Sequence, residues 1–189
     1  KPEAQKKREE NRANWLDRDP EVRCYMPGVP RATYMPFPFQ ILQNAKQFFI
    51  TYEYAGAFRD ILFKNPGPAE TDSWMGQSVG RWEGDTLVVE TNGFNDRTWL
   101  DFAGHPHTEA LRMTERIRRT DFGHLDIQVT LTDPGAYNKP WTVVSTATFA
   151  ADTEMIETVC SENEQDRSHL VGRTEAERQV KVAPEVLAK

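Results

Sequence analysis

Apolar side chains recur with a period of two along most of this chain, the pattern of strands with one buried face. Residues 47–54 carry Phe48, Ile50, Tyr52 and Tyr54 on one side. Phe39–Gln43 precedes them across Asn44-Ala45-Lys46, and residues 58–63 resume the pattern after Gly56. Three hairpins are predicted further on. Residues 78–83 and Thr86–Asn92 flank Gly84-Asp85, a compact turn signal. Residues 113–120 and His124–Thr132 flank Asp121-Phe122-Gly123, and residues 141–149 and 154–160 flank Ala150-Ala151-Asp152-Thr153. Sequential short strands with frequent turns predict an all-β fold, an antiparallel meander curled into a barrel, with a two-sheet sandwich as the alternative. Kinship with lipocalin-like barrels follows from strand arrangement alone, which is an analogy of fold and carries no function.

The two ends of the chain break this pattern. Residues 1–19 are highly charged, with Trp15 and Leu16 as their large apolar side chains, and predict a short helix or an ordered arm. Residues 20–39 hold prolines at 20, 27, 30, 36 and 38, which rule out a regular helix or a central strand. The aromatic residues between those prolines predict an extended cap over one end of the core. Residues 20–162 thus form a single β-barrel domain, and residues 163–189 a polar, partly helical tail interrupted by Pro184.

Charge narrows the partners. With 28% charged residues and a net charge of −6, the chain lacks the basic surface that nucleic acid or an anionic membrane requires. Arg112, Arg116 and Arg118 alternate along one solvated strand face. No apolar run approaches the roughly 18 residues of a membrane span. The chain opens KPEAQKK without an initiator methionine, as a trimmed exported protein does and as a cloning boundary does. Cys24 and Cys160 are the two cysteines, and neither has a CxxC or histidine neighbour. They read either as two buried free thiols or as a disulfide clipping the N-terminal segment to the last strand. In the chain-entropy account such a long loop closure contributes up to about 5 kcal/mol.

Candidate chemistry concentrates between the strands that end at Asn92 and begin near Arg112. His105-Pro106-His107 places two imidazoles two residues apart around a stiff proline, and in extended chain both would project to one side. They suit an acid–base pair near neutral pH, with Asp101 orienting one of them, or a divalent-metal site completed by Asp101 or Glu109. The cupin metal pattern, HxH followed by glutamate, is not met, because Leu111 or Arg112 falls where the glutamate belongs. No cofactor is firmly implied. Asn95, Asp96, Arg97 and Trp99 form either a polar clamp for hydroxyls and a ring, or an Asx-type turn anchored by the tryptophan. Glu115 lies in line with Leu111, Met113 and Ile117. It is read as an acid or base facing a cavity, or as a structural carboxylate paired with Arg81 or Arg59. Trp74, Trp82 and Trp141 are read as core residues or barrel-end plugs. P-loop and GxGxxG motifs are absent, and Ser78, in MGQSVG, is not read as a nucleophile elbow because no α/β pattern supports one.

The run WMGQSVGRWEGDTLVVETNGFNDRTWLDFAGHPHTEALRMTERIRR resembles the hallmark of a largely uncharacterised family of predicted exported proteins of soil bacteria. DPEVRCYMPGVPRATYMPFPFQI, LTDPGAYNKPWTV and VCSENEQD are similar to that family as well, so the resemblance spans residues 19–189. It implies export, periplasmic or secreted, and with export the disulfide. Some relatives continue past the point matching VAPEVLAK into another β-rich segment. The family carries no named activity, so no catalytic residue comes with it.

These readings converge on an exported barrel whose cavity is rimmed by residues 93–109 and binds a small, ring-containing, hydroxylated molecule. In the enzyme version, a hydrolase or lyase, Asp101, His105, His107 and Glu115 do acid–base work while Asn95, Asp96, Arg97 and Trp99 hold the substrate. The alternatives are a non-catalytic carrier, a histidine-ligated metal enzyme, and an interaction module.

Overall fold

The computed structural model describes residues 1–160. One sheet of eight strands dominates, in sequence order: β1 (Phe39–Gln43), β2 (Gln47–Tyr52), β3 (Phe58–Leu62), β4 (Gln77–Glu83), β5 (Thr86–Asn92), β6 (Arg112–Arg119), β7 (His124–Thr132) and β8 (Trp141–Thr148). The sheet curls into a half-barrel, and β1 and β8 are not paired to each other. The expected barrel-like all-β class holds. The expected uninterrupted antiparallel meander does not, because β3 and β4 run parallel, with Ile61 opposite Ser78 and Leu62 opposite Val79. Parallel neighbours require the chain to return along the sheet, and residues 63–76 make that return.

Apart from residues 63–76, strand directions assign each connection to one end of the sheet. Short turns at 44–46, 84–85 and 120–123 close one end. The other end holds the 3-10 turn Tyr54–Gly56 and the long connections 93–111 and 133–140. Helices α1 (Pro2–Ala13), α2 (Trp15–Arg18) and α3 (Arg31–Tyr34) precede the sheet. The N-terminal ammonium donates to the carbonyl of Ala136, and Asn11 donates to that of Gly104 at 3.0 Å, so α1 lies over the elaborated end.

The core follows the alternation. Phe48, Ile50, Ile61, Leu87, Val89, Met113, Ile117, Ile127, Val129 and Leu131 pack on the inner face. Trp74 and Trp141 pack against this core, whereas Trp82, expected there too, is 45% exposed. The third predicted hairpin fails on its second arm, since residues 154–159 form no strand. Instead the chain leaves β8 at the short-turn end, where the Phe149 N–H donates to the Gly123 carbonyl, and travels to the other end. There the Ile156 N–H donates to Glu53, and Cys160 forms a disulfide with Cys24. The partners are 136 residues apart in sequence, and closing that loop restricts the unfolded chain. Among the described residues no helix is long and apolar enough to cross a membrane. The helical tail expected at 163–189 lies outside the described residues.

Candidate functional site

The β5–β6 connection is irregular but heavily pinned. Ser73 and Phe94 form a bridge, and the Asn95 N–H donates to the Ser73 carbonyl at 2.9 Å. Trp99 and Pro106 bridge in antiparallel fashion, and the Leu100 N–H donates to the His105 carbonyl at 2.9 Å. Residues 99–106 therefore fold back on themselves. Asp101 sits in this fold with Oδ1 accepting the N–H groups of Ala103 at 2.9 Å and His105 at 3.2 Å. Gly104, at φ +83°, touches α1 so closely that a Cβ there would lie 2.9 Å from that of Asn11.

The other oxygen of Asp101 meets His105 Nδ1 at 2.6 Å, with the two side chains 33% and 32% exposed. Burial alone would raise the Asp101 carboxyl. Hydrogen bonds from His105 and the loop N–H groups outweigh it and hold the carboxyl below its usual range. A carboxylate accepting from Nδ1 selects the tautomer whose Nε2 carries a lone pair. Among the described residues that Nε2 has no hydrogen-bond partner.

Aromatic side chains surround this pair. Trp141 lies 6.5 Å from the His105 ring, and Tyr137 packs edge-on to Trp141 at 5.7 Å. Tyr137 donates its hydroxyl to the Pro106 carbonyl at 2.7 Å. Burial, then the charges of Asp101 and Asp133, push its pKa up to about 12. Tyr34 is raised further, by burial and then by the negative charge of Asp101. Both phenols therefore stay protonated at neutral pH. Among the described residues the buried Tyr34 hydroxyl and Trp141 indole N–H have no hydrogen-bond partner. Buried unpaired donors of this kind cost free energy unless something accepts from them.

An ion cluster supports the loop from behind. Arg31, fully buried, makes a bidentate pair with Asp19 at 2.7 and 2.8 Å and a further bond to Glu21 at 2.5 Å. Its guanidinium lies 4.5 Å from the Phe102 ring and 6.0 Å from that of Trp99. Desolvation opposes the charge of Arg31, but its carboxylate partners prevail and raise its pKa.

The structure brings Asp101 and His105 together and distributes the other expected site residues elsewhere. His107 is 1% exposed, packed edge-on against Phe94. Its Nδ1 lies 3.2 Å from the Thr108 carbonyl, which only accepts, so Nδ1 donates and Nε2 accepts from Thr98 Oγ1 at 2.6 Å. Both ring nitrogens are thereby occupied. Burial lowers the His107 pKa, against the Thr108 bond and the charges of Asp133 and Asp96. Glu115 is equally buried and pairs with Arg59, which also donates to Ser78 Oγ at 2.8 Å and Thr91 Oγ1 at 2.6 Å. Of its two expected roles, the geometry matches the structural one. Asn95 accepts the Arg97 N–H at 3.2 Å, the anticipated Asx turn, and Asp96 and Arg97 are exposed. Trp99 is buried against the Arg31 cluster. Among the described residues no group of three or more His, Cys, Asp or Glu is arranged to hold a metal ion.

A pocket of about 420 Å³ lies between residues 51–56 and 155–160, with no lining residue from the 93–109 loop. Tyr34, Tyr137 and Arg31 were not anticipated at the site. Their local sequences carry no chemical motif, and the available hint was that their segments connect elements at the same end of the sheet. Comparison with known proteins adds no relative: no family model, no curated protein and no solved structure matches the chain.

Proposed function

We propose that the Asp101–His105 pair is the acid–base centre of a hydrolase or lyase acting on a small, ring-containing, hydroxylated molecule. One observation carries the reading: His105 Nδ1 is held by Asp101 at 2.6 Å, while Nε2, on a side chain one-third exposed, has no partner among the described residues. Asp101 fixes the tautomer and stabilises the imidazolium that forms when Nε2 takes a proton. The same nitrogen returns the proton to a leaving group. Trp141, its ring tilted beside the imidazole at 6.5 Å, supplies aromatic surface against which a substrate ring would pack. The Cys24–Cys160 disulfide favours an oxidising compartment, in keeping with export.

Turnover of a panel of aryl and alkyl glycosides, esters and lactones tests this. His105→Ala is expected to lower kcat by about 100-fold or more, and Asp101→Asn by a similar factor through the wrong tautomer. Undiminished turnover in both variants, or none by the wild type across the panel, removes the catalytic assignment.

A further inference from the structure

The 420 Å³ pocket is separate in its lining from the Asp101–His105 pair and has a chemistry of its own. One wall is the end of β2 and the 3-10 turn, the other the strap of residues 155–160, and the disulfide ties the strap to Cys24 of the N-terminal segment, which also lines the pocket. Glu53 is 9% exposed and lines the pocket. Its Oε2 accepts the Ile156 N–H at 3.1 Å, a bond that links the two walls. Among the described residues Oε1 has no partner, and no Lys, Arg or His lines the pocket. Glu157 adds a second carboxylate, while Met155, Ile156 and Val159 supply apolar surface, Ile156 being 68% exposed.

A buried carboxylate without a counter-charge is costly, and it repels anionic ligands. Two carboxylates fall short of the six to eight oxygen ligands calcium favours, and no metal-holding cluster exists among the described residues. An organic cation answers both features: its charge meets Glu53, and its hydrocarbon covers the strap's apolar side chains. We propose that this pocket binds a small primary ammonium ion with an apolar body, the ammonium on Glu53 Oε1 and the body against Met155, Ile156 and Val159. The volume falls in the range of small-molecule sites. The inference is independent of the catalytic reading above.

Benzylammonium and its neutral counterpart benzyl alcohol provide the test, each titrated into the full, oxidised chain while backbone amide resonances are followed. Benzylammonium is expected to shift amides within 51–56 and 155–160, and to bind about tenfold more tightly than the alcohol. Glu53→Gln keeps an acceptor for the Ile156 N–H, so the strap stays tethered while the charge is lost. It should weaken benzylammonium about tenfold and leave the alcohol unchanged. His105→Ala should alter neither affinity. No shifts in the wild type, shifts confined to other residues, equal affinity in Glu53→Gln, or loss of binding in His105→Ala would each overturn the proposal.

Discussion

Two polar pairs, Arg59–Glu115 and Asp101–His105, look alike as acid–base chemistry and are opposite in construction. The first is walled into the sheet, both side chains 1% exposed, with Ser78 and Thr91 bonded to the same guanidinium. The second stands in a connection at the sheet's elaborated end, about one-third exposed, with one ring nitrogen free of partners among the described residues. A charge pair shut away from solvent braces the fold, even with Arg59 Nη1 and Glu115 Oε1 left without a hydrogen-bond partner among the described residues. A group held on one side and open on the other can act on something else.

The largest expected effect is in the sheet. Glu115→Ala leaves the Arg59 charge buried and unpaired, and chemical denaturation should register a loss of about 3–5 kcal/mol. The double variant Arg59→Met/Glu115→Leu should lose less than either single charge deletion. A loss below about 1 kcal/mol for Glu115→Ala would erase the distinction between the pairs.

His107 comes next, as the scaffold member of the histidine pair. His107→Ala orphans the Thr98 hydroxyl and opens a cavity, with an expected loss of about 3 kcal/mol by the same measurement. The wild type also carries a pH signature. Burial depresses the folded-state pKa of His107 below its unfolded value, so its contribution is complete above about pH 6.5 and is lost as pH falls through the folded value. Stability should decline with pH below that point and flatten in His107→Gln; equal slopes would deny the buried neutral imidazole. Gly104→Ala should cost about 2 kcal/mol, from the left-handed backbone and the contact with Asn11, and should loosen α1 as seen by amide exchange. His105→Ala is the smallest in stability, under about 1 kcal/mol, because the pair it breaks is partly solvated. A fold loss like that of His107→Ala would class His105 as scaffold too.

The strands were legible because alternation is a local property. Phe48, Ile50 and Tyr52 announce β2, and Met113, Glu115 and Ile117 announce β6 with its carboxylate inward. The parallel β3–β4 step was not, because it depends on where residues 63–76 carry the chain. The strap at 154–159 alternates like a strand, but Glu53 and the disulfide draw it away from β8. The histidines separated for a related reason. Projection to one side holds in extended chain, and residues 99–106 fold back through the Trp99–Pro106 bridge, which presents His105 to Trp141 and His107 to Phe94. Tyr34 and Tyr137 reach the site from α3 and from the β7–β8 connection, a proximity created by the tertiary fold.

Nitrogen-15 spectra of the histidine rings at mildly alkaline pH, where imidazoles are neutral, test the account at its centre. His105 should be the Nδ1–H tautomer in the wild type and shift toward the Nε2–H form in Asp101→Asn, which removes the carboxylate that accepts from Nδ1. An Nε2–H tautomer in the wild type, or a tautomer indifferent to Asp101, would contradict the claim that Asp101 presents His105 Nε2 as a base.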